Sequence, residues 1–73
     1  MMPLSFGSEG TKYRLARVNG KEALSRHLKE LGFVEGEEIE LLHNDRGAIT
    51  CALKGSRLCL DASVASLLEV VAI

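Results

Sequence analysis

The stretch Ile49-Thr50-Cys51-Ala52-Leu53-Lys54-Gly55-Ser56-Arg57-Leu58-Cys59-Leu60 decides how this chain folds. Ile49, Cys51 and Leu53 recur at every second position, as do Leu58 and Leu60, and a period of two marks strands with one face in a core. Gly55-Ser56 reads as a two-residue turn, with glycine at the first central position as a type II′ hairpin requires. Lys54 then pairs with Arg57, Leu53 with Leu58 and Cys51 with Leu60, so the apolar positions meet on one face. A three-residue loop would set Cys51 opposite Cys59 and turn Leu58 and Leu60 away from the face of Ile49 and Leu53. The pattern selects the shorter turn. It also sends Cys51 and Cys59 to opposite faces, where they cannot form a disulfide.

Towards the N-terminus, Gly36 starts another strand, Glu37 to His43, with Ile39 and Leu41 inward and Glu38 and Glu40 outward. Asn44-Asp45-Arg46-Gly47 is the hairpin loop that joins it to the strand Ala48 to Lys54, with Gly47 placed for a positive φ. Before these lies a helix. Leu24, Leu28 and Leu31 fall at i, i+4 and i+7, leaving Glu22, Ser25, Arg26 and Lys29 towards water. Asn19 with Glu22 three residues later reads as an N-cap, Gly32 supplies a left-handed end, and Phe33 is placed for an apolar contact back to Leu28. The helix is expected over about residues 21–31. Upstream of it, Tyr13 and Leu15 alternate with charges in a first strand. Val18 breaks the parity, which a bulge between Leu15 and Val18 would restore.

Towards the C-terminus, Asp61 can cap a short helical turn near residues 62–66. Leu68 and Val70 are the inward residues of a last strand, expected beside the first. Five short strands with glycine-rich corners predict a mainly β fold, a small SH3-like barrel with one inserted α-helix, forming a single domain over 1–73. No linker, repeat or low-complexity tract interrupts the chain, and residues 1–9 carry the weakest pattern.

Seventy-three residues leave no room for a second domain. A chain of this size buries only about 60% of the surface its unfolded form exposes. The aliphatic residues are needed for the core, and a partner surface is expected in place of an enclosed catalytic cleft. Nine Lys plus Arg against ten Asp plus Glu give a net charge of −1, without the basic excess of a general nucleic-acid binder. No apolar run is long enough to span a membrane. The N-terminus lacks the pattern of a secretion signal, so the expected compartment is the cytoplasm.

His27, His43, Cys51 and Cys59 have the chemistry of metal ligands, but their spacing matches no compact motif. No metal and no cofactor is expected. Neither cysteine has a neighbouring histidine, the serines suit capping, and the glycines are dispersed through corners, so no catalytic residue is assigned. Two phenylalanines and one tyrosine are too few for the aromatic groove with which SH3 domains grip proline-rich ligands.

Charge is segregated along the chain. From Lys12 to Lys29 stand Lys12, Arg14, Arg17, Lys21, Arg26 and Lys29 with one acid, Glu22. From Glu30 to Asp45 stand Glu30, Glu35, Glu37, Glu38, Glu40 and Asp45 with no Lys or Arg. Folding either brings the two groups together as ordinary surface ion pairs or leaves a bipolar surface that orients a partner.

The sequence Arg26-His27-Leu28-Lys29-Glu30-Leu31-Gly32-Phe33-Val34-Glu35-Gly36, followed by Gly55-Ser56-Arg57-Leu58-Cys59-Leu60 and by Ala65, Leu68 and Val70, resembles the FeoA family. The resemblance runs from about Leu4 to Val70. Glu35 stands where many family members have proline, and Asp61 where many have a basic residue. The resemblance implies an SH3-like barrel and a cytoplasmic accessory role in bacterial ferrous iron transport, exercised by binding the cytoplasmic G-protein region of the transporter FeoB. With that partner, Ser25, Arg26 and Lys29 of the helix and the corner Gly32, Phe33, Val34 and Glu35 are the expected docking surface. Arg46, at a loop tip, is a candidate arginine finger for GTP hydrolysis, although most loop arginines serve no such purpose. Two alternatives follow. One is a regulatory module like the C-terminal domain of repressors of the diphtheria toxin repressor type, in a chain without a helix-turn-helix. The other is a structural adaptor that self-associates weakly through strand edges.

Overall fold

Alternation along the strands carries Tyr13, Leu15, Ile39, Leu41, Ile49, Cys51, Leu53, Leu60, Leu68 and Val70 into one buried cluster. The computed structural model describes all 73 residues, Met1–Ile73. In chain order the elements are β1 (Met2–Pro3), a 3₁₀ turn (Leu4–Phe6), β2 (Lys12–Val18), α1 (Glu22–Leu31) and β3 (Glu38–Asp45). They continue with β4 (Ala48–Leu53), β5 (Ser56–Leu60), α2 (Ala62–Ala65) and β6 (Leu68–Ala72). The strands form one antiparallel sheet in the order β1-β6-β2-β3-β4-β5. Because inward residues from five of these strands share one core, the sheet must curl around it. The result is the mainly β, barrel-like fold with an inserted helix that the sequence predicts.

Several local expectations hold. The register of β2 against β6 shifts between Leu15 and Arg17, where the bulge was placed, and returns Val18 to the core side. Asp61 caps α2, accepting the Val64 N–H at 2.8 Å. Gly32, at φ 111°, ends α1. The Phe33 amide donates to the Leu28 carbonyl at 2.9 Å, the long-range bond of a Schellman motif. Both side chains are fully buried.

Other expectations are corrected. A sixth strand, β1, pairs with β6 through Met2↔Val70, and Leu4 of the following turn lies wholly within the core. The pattern in residues 1–9 is too short to show a period, although their burial is complete at Leu4. The sheet also keeps two ends, β1 and β5, so the barrel is not closed by hydrogen bonds. Only Arg46 and Gly47 lie between the paired residues Asp45 and Ala48, so the β3–β4 loop is a tight two-residue turn within the four residues expected.

The β4–β5 turn sits one residue earlier than predicted. Leu53 pairs with Ser56, Cys51 with Leu58 and Ile49 with Leu60, which makes Lys54-Gly55 the turn. Both have positive φ, 52° and 79°, as type I′ and not type II′ demands. Moving the turn by one residue changes every partner by two positions and leaves each side chain on its face. Apolar alternation therefore cannot distinguish the two registers. The observed one sets Leu60 against Ile49 and buries both.

Asn19 does not cap α1. The N-cap is Lys21, without a side-chain bond, and the Asn19 amide donates to Glu69 on β6. Arg17 donates to the same Glu69 oxygen at 3.2 Å. A carboxylate accepting two bonds draws the amide more strongly than a helix end does. The Asn19 and then the Arg17 bonds hold the Glu69 carboxyl below its ordinary pKa of 4.5.

Phe33→Ala is expected to cost about 3–5 kcal/mol, a large part of the 5–15 kcal/mol typical of a domain. Urea unfolding should show it, whereas Glu35→Ala, at an exposed position, should stay within about 0.5 kcal/mol. The Glu69 contribution has the sign of a depressed carboxyl: it is fully present above pH 4.5 and is lost as the pH falls below that value towards the lower folded pKa. Thermal melts between pH 5 and about 3 should fall less steeply for Glu69→Gln than for the natural chain.

Candidate functional site

Helix α1 is held by its C-terminal end. Leu28 enters the core, Leu24 packs against it, and the backbone of Gly32 lies so close to β4 that a Cβ there would stand 3.2 Å from Leu53 Cδ2. The corner after the helix is fixed to β2 by the Gly36 amide bonding the Leu15 carbonyl at 2.8 Å and the Leu15 amide bonding the Glu37 carbonyl at 2.9 Å. On this rigid corner Val34 is 38% exposed and Leu31 is 40% exposed. They form a small apolar step at the end of the helix.

Around that step the predicted docking residues divide. Arg26 and Lys29 are exposed, Ser25 and Gly32 are half-buried, and Glu35 is exposed. Arg26 is paired with Glu22 at 3.0 Å, an exposed pair of little energetic weight. Lys29 and Glu35 have no ion-pair partner within 4 Å. Phe33 is corrected: it has no accessible surface, because the Schellman bond directs it into the core, and it shapes the corner from beneath. Leu31 is the surface residue that sequence reasoning assigned to the core. The leucine spacing treats all three leucines alike, but only Leu28 is fully buried, because the chain turns away at Gly32 immediately after Leu31.

Arg46 lies elsewhere. It occupies a left-handed turn position at φ 53° with its side chain 95% exposed, beside Asp45 at 3.5 Å. The turn adjoins the first residue of β4, while the Gly32 corner adjoins the last. The two candidates are therefore roughly 17 Å apart along the strand.

The segregated charges meet across β2 and β3. Lys12 stands opposite Glu40 and Arg14 opposite Glu38 in register, and Lys12 reaches Glu38 at 3.8 Å. Lys54 reaches Glu37 at 3.8 Å. Lys12, Glu37, Glu38, Glu40 and Lys54, with Ala52, line an open groove of about 300 Å³. Between the basic and the acidic segment the Lys and Arg side chains make one ion pair, Lys12–Glu38, and Arg14, Lys21 and Lys29 have no carboxylate partner within 4 Å. His43 bonds Glu9 at 2.8 Å and His27 faces Glu30 at 3.8 Å. No group of three or more His, Cys, Asp or Glu is arranged to hold a metal.

The FeoA domain family matches residues 2–72. This chain belongs to the FeoA family. An iron uptake regulatory protein (FeoA) superposes with a TM-score of 0.87 at 24% identity, covering 99% of this chain and 96% of that one, which shows the common fold. The iron(II) transport protein A of Clostridium thermocellum gives a TM-score of 0.90 at 31% identity, over 99% of this chain and 46% of that one. The manganese regulator SloR gives 0.85 at 27% identity, over 99% of this chain and 34% of that one. The chain spans less than half the length of these last two. Among curated protein sequences, none matches it.

The two thiols of this FeoA-family chain have opposite environments. Cys51 is buried and Cys59 exposed. Burial, and then the charge of the nearby Cys59, push the Cys51 thiol up to about 11, so it stays protonated at neutral pH. One maleimide is expected to add to the native protein, at Cys59, and two after unfolding in urea. Mass spectrometry of the intact protein would count them.

Proposed function

We propose that this protein is a cytoplasmic accessory of ferrous iron uptake that binds the G-protein region of the transporter FeoB and catalyses no reaction itself. The family match over residues 2–72 carries the reading. The 31% identity to an iron(II) transport protein supports it. No helix is long and apolar enough to cross a membrane, which is compatible with a role beside a transporter.

The docking surface we assign is the outer face of α1 with the corner that follows: Ser25, Arg26 and Lys29, then Leu31, Gly32, Val34 and Glu35. A basic face would draw the protein to an acidic partner, and the apolar step beside it would be desolvated on contact. Arg46 would act as a GTPase-stimulating residue only if the same partner reached about 17 Å further along β4. Docking at the corner requires no such contact.

A second reading rests on the likeness to the manganese regulator SloR. In it the chain is a regulatory module of a repressor-like assembly. The structure has one helix of ten residues and one of four, which do not form a helix-turn-helix to enter a major groove.

Capture of purified FeoB G-protein region separates these readings. Arg26→Glu with Lys29→Glu, and separately Val34→Asp, are expected to weaken binding at least about tenfold, while Arg46→Ala leaves it unchanged. Full-strength binding by the double charge reversal would remove the proposed surface. Unaccelerated GTP turnover in the complex would remove Arg46 from consideration.

A further inference from the structure

We propose that β5 is a pairing edge for a second copy of this chain, joined antiparallel about a twofold axis at Cys59. The sheet ends at β5, which has a hydrogen-bonded neighbour only on the β4 side. The two-residue turn fixes which backbone groups are spent: Leu53–Ser56, Cys51–Leu58 and Ile49–Leu60 are the mutually bonded pairs of the hairpin. The N–H and C=O groups of Arg57 and Cys59 consequently point away from β4. No turn, loop or cap bond uses them. Asp61, next in the chain, is still extended at φ −70° and ψ 167°, and α2 then turns back against β4 and the N-terminal 3₁₀ turn. The edge therefore presents an extended segment from Ser56 to Asp61.

Natural edges are commonly protected by proline, an inward charge, a bulge or brevity. The opposite end of the sheet, β1, is two residues long and ends in Pro3. β5 has five residues, no proline, no inward charge and an unbroken register. The occupant is decided by what each register places face to face. An axis at Arg57 would set two arginines directly opposite, which is unfavourable. An axis at Leu58 would place Arg57 opposite Cys59 of the second copy and gain no charge pairing. An axis at Cys59 places Arg57 of each copy opposite Asp61 of the other on the outer face, and Leu58 opposite Leu60 on the inner face. Arg57 has no acidic partner within 4 Å in the single chain. The Asp61 carboxyl, held below its usual range by the Val64 amide and then the Ser63 hydroxyl, stays ionised with one oxygen committed to the α2 cap. The segment is complementary to itself, as a twofold contact requires. Four backbone bonds result: two between the Cys59 residues, and two from the Asp61 amides to the Arg57 carbonyls.

Sedimentation equilibrium of the whole reduced chain, with no transporter present, tests this independently of the docking reading. A reversible monomer–dimer equilibrium is expected, weakened by raised salt. Arg57→Glu, which sets Glu opposite Asp61, should raise the dimer dissociation constant about tenfold or more. Cys59→Lys, which opposes two ammonium groups at the axis, should do the same. Both side chains are exposed, so unchanged far-ultraviolet circular dichroism and melting should accompany the loss. Diamide supplies a second readout: the two Cys59 thiols lose two protons and two electrons to form one intermolecular disulfide, and diamide is reduced to the hydrazine. A protein monomeric up to ~1 mM, or a dimer indifferent to both substitutions, would overturn the proposal.

Discussion

The bond from the Phe33 amide to the Leu28 carbonyl, across a left-handed Gly32, is the constraint on which the arrangement of this molecule depends. It turns the chain at the end of α1 so that Leu28 and Phe33, five residues apart, one helical and one in a loop, fill the same core. Without it the inserted helix would have little to hold it, since most of its residues face water. The same turn leaves Leu31 and Val34 outside. Anchoring and display are two results of one backbone conformation: what buries Phe33 exposes its neighbours.

Charge plays a different part. The basic strand and the acidic strand are adjacent in the sheet, so Lys12 stands opposite Glu40 and Arg14 opposite Glu38, with one ion pair, Lys12–Glu38, within 4 Å. Such exposed pairs contribute little to stability individually, but they favour the antiparallel register in which unlike charges face each other. The helix stands apart from this cross-strand pairing, and Lys29 has no carboxylate within 4 Å. Net charge conceals the distinction. A value of −1 describes a molecule in which some basic residues are paired while Arg14, Lys21, Lys29 and Arg57 have no carboxylate within 4 Å.

Much of this was legible in the residues. The inward faces of β2 to β6, the bulge after Leu15, the capping Asp61 and the left-handed Gly32 each follow from a local rule with a strong physical cause. What escaped was decided at longer range. Asn19 left its capping role for a carboxylate fifty residues away in sequence, which no local window contains. The β4–β5 turn moved by one residue because two registers share the same parity, and the choice fell to the packing of Leu60 on Ile49. Leu4 revealed no period because its segment makes one short strand and one turn. For the candidate site, the corner and the basic face could be read directly, but which corner residues reach the surface could not: Phe33 and Val34 are sequence neighbours with opposite exposure.

The pairing of Met2 with Val70, beside that of Tyr13 with Ala72, has an architectural result. The chain enters and leaves on adjacent strands, and Met1 and Ile73 are both exposed. Either end can be extended, or both joined to a host, without threading anything past the helix corner. A tether would alter where the module is held and at what effective concentration it meets its target, while the face it presents stays the same.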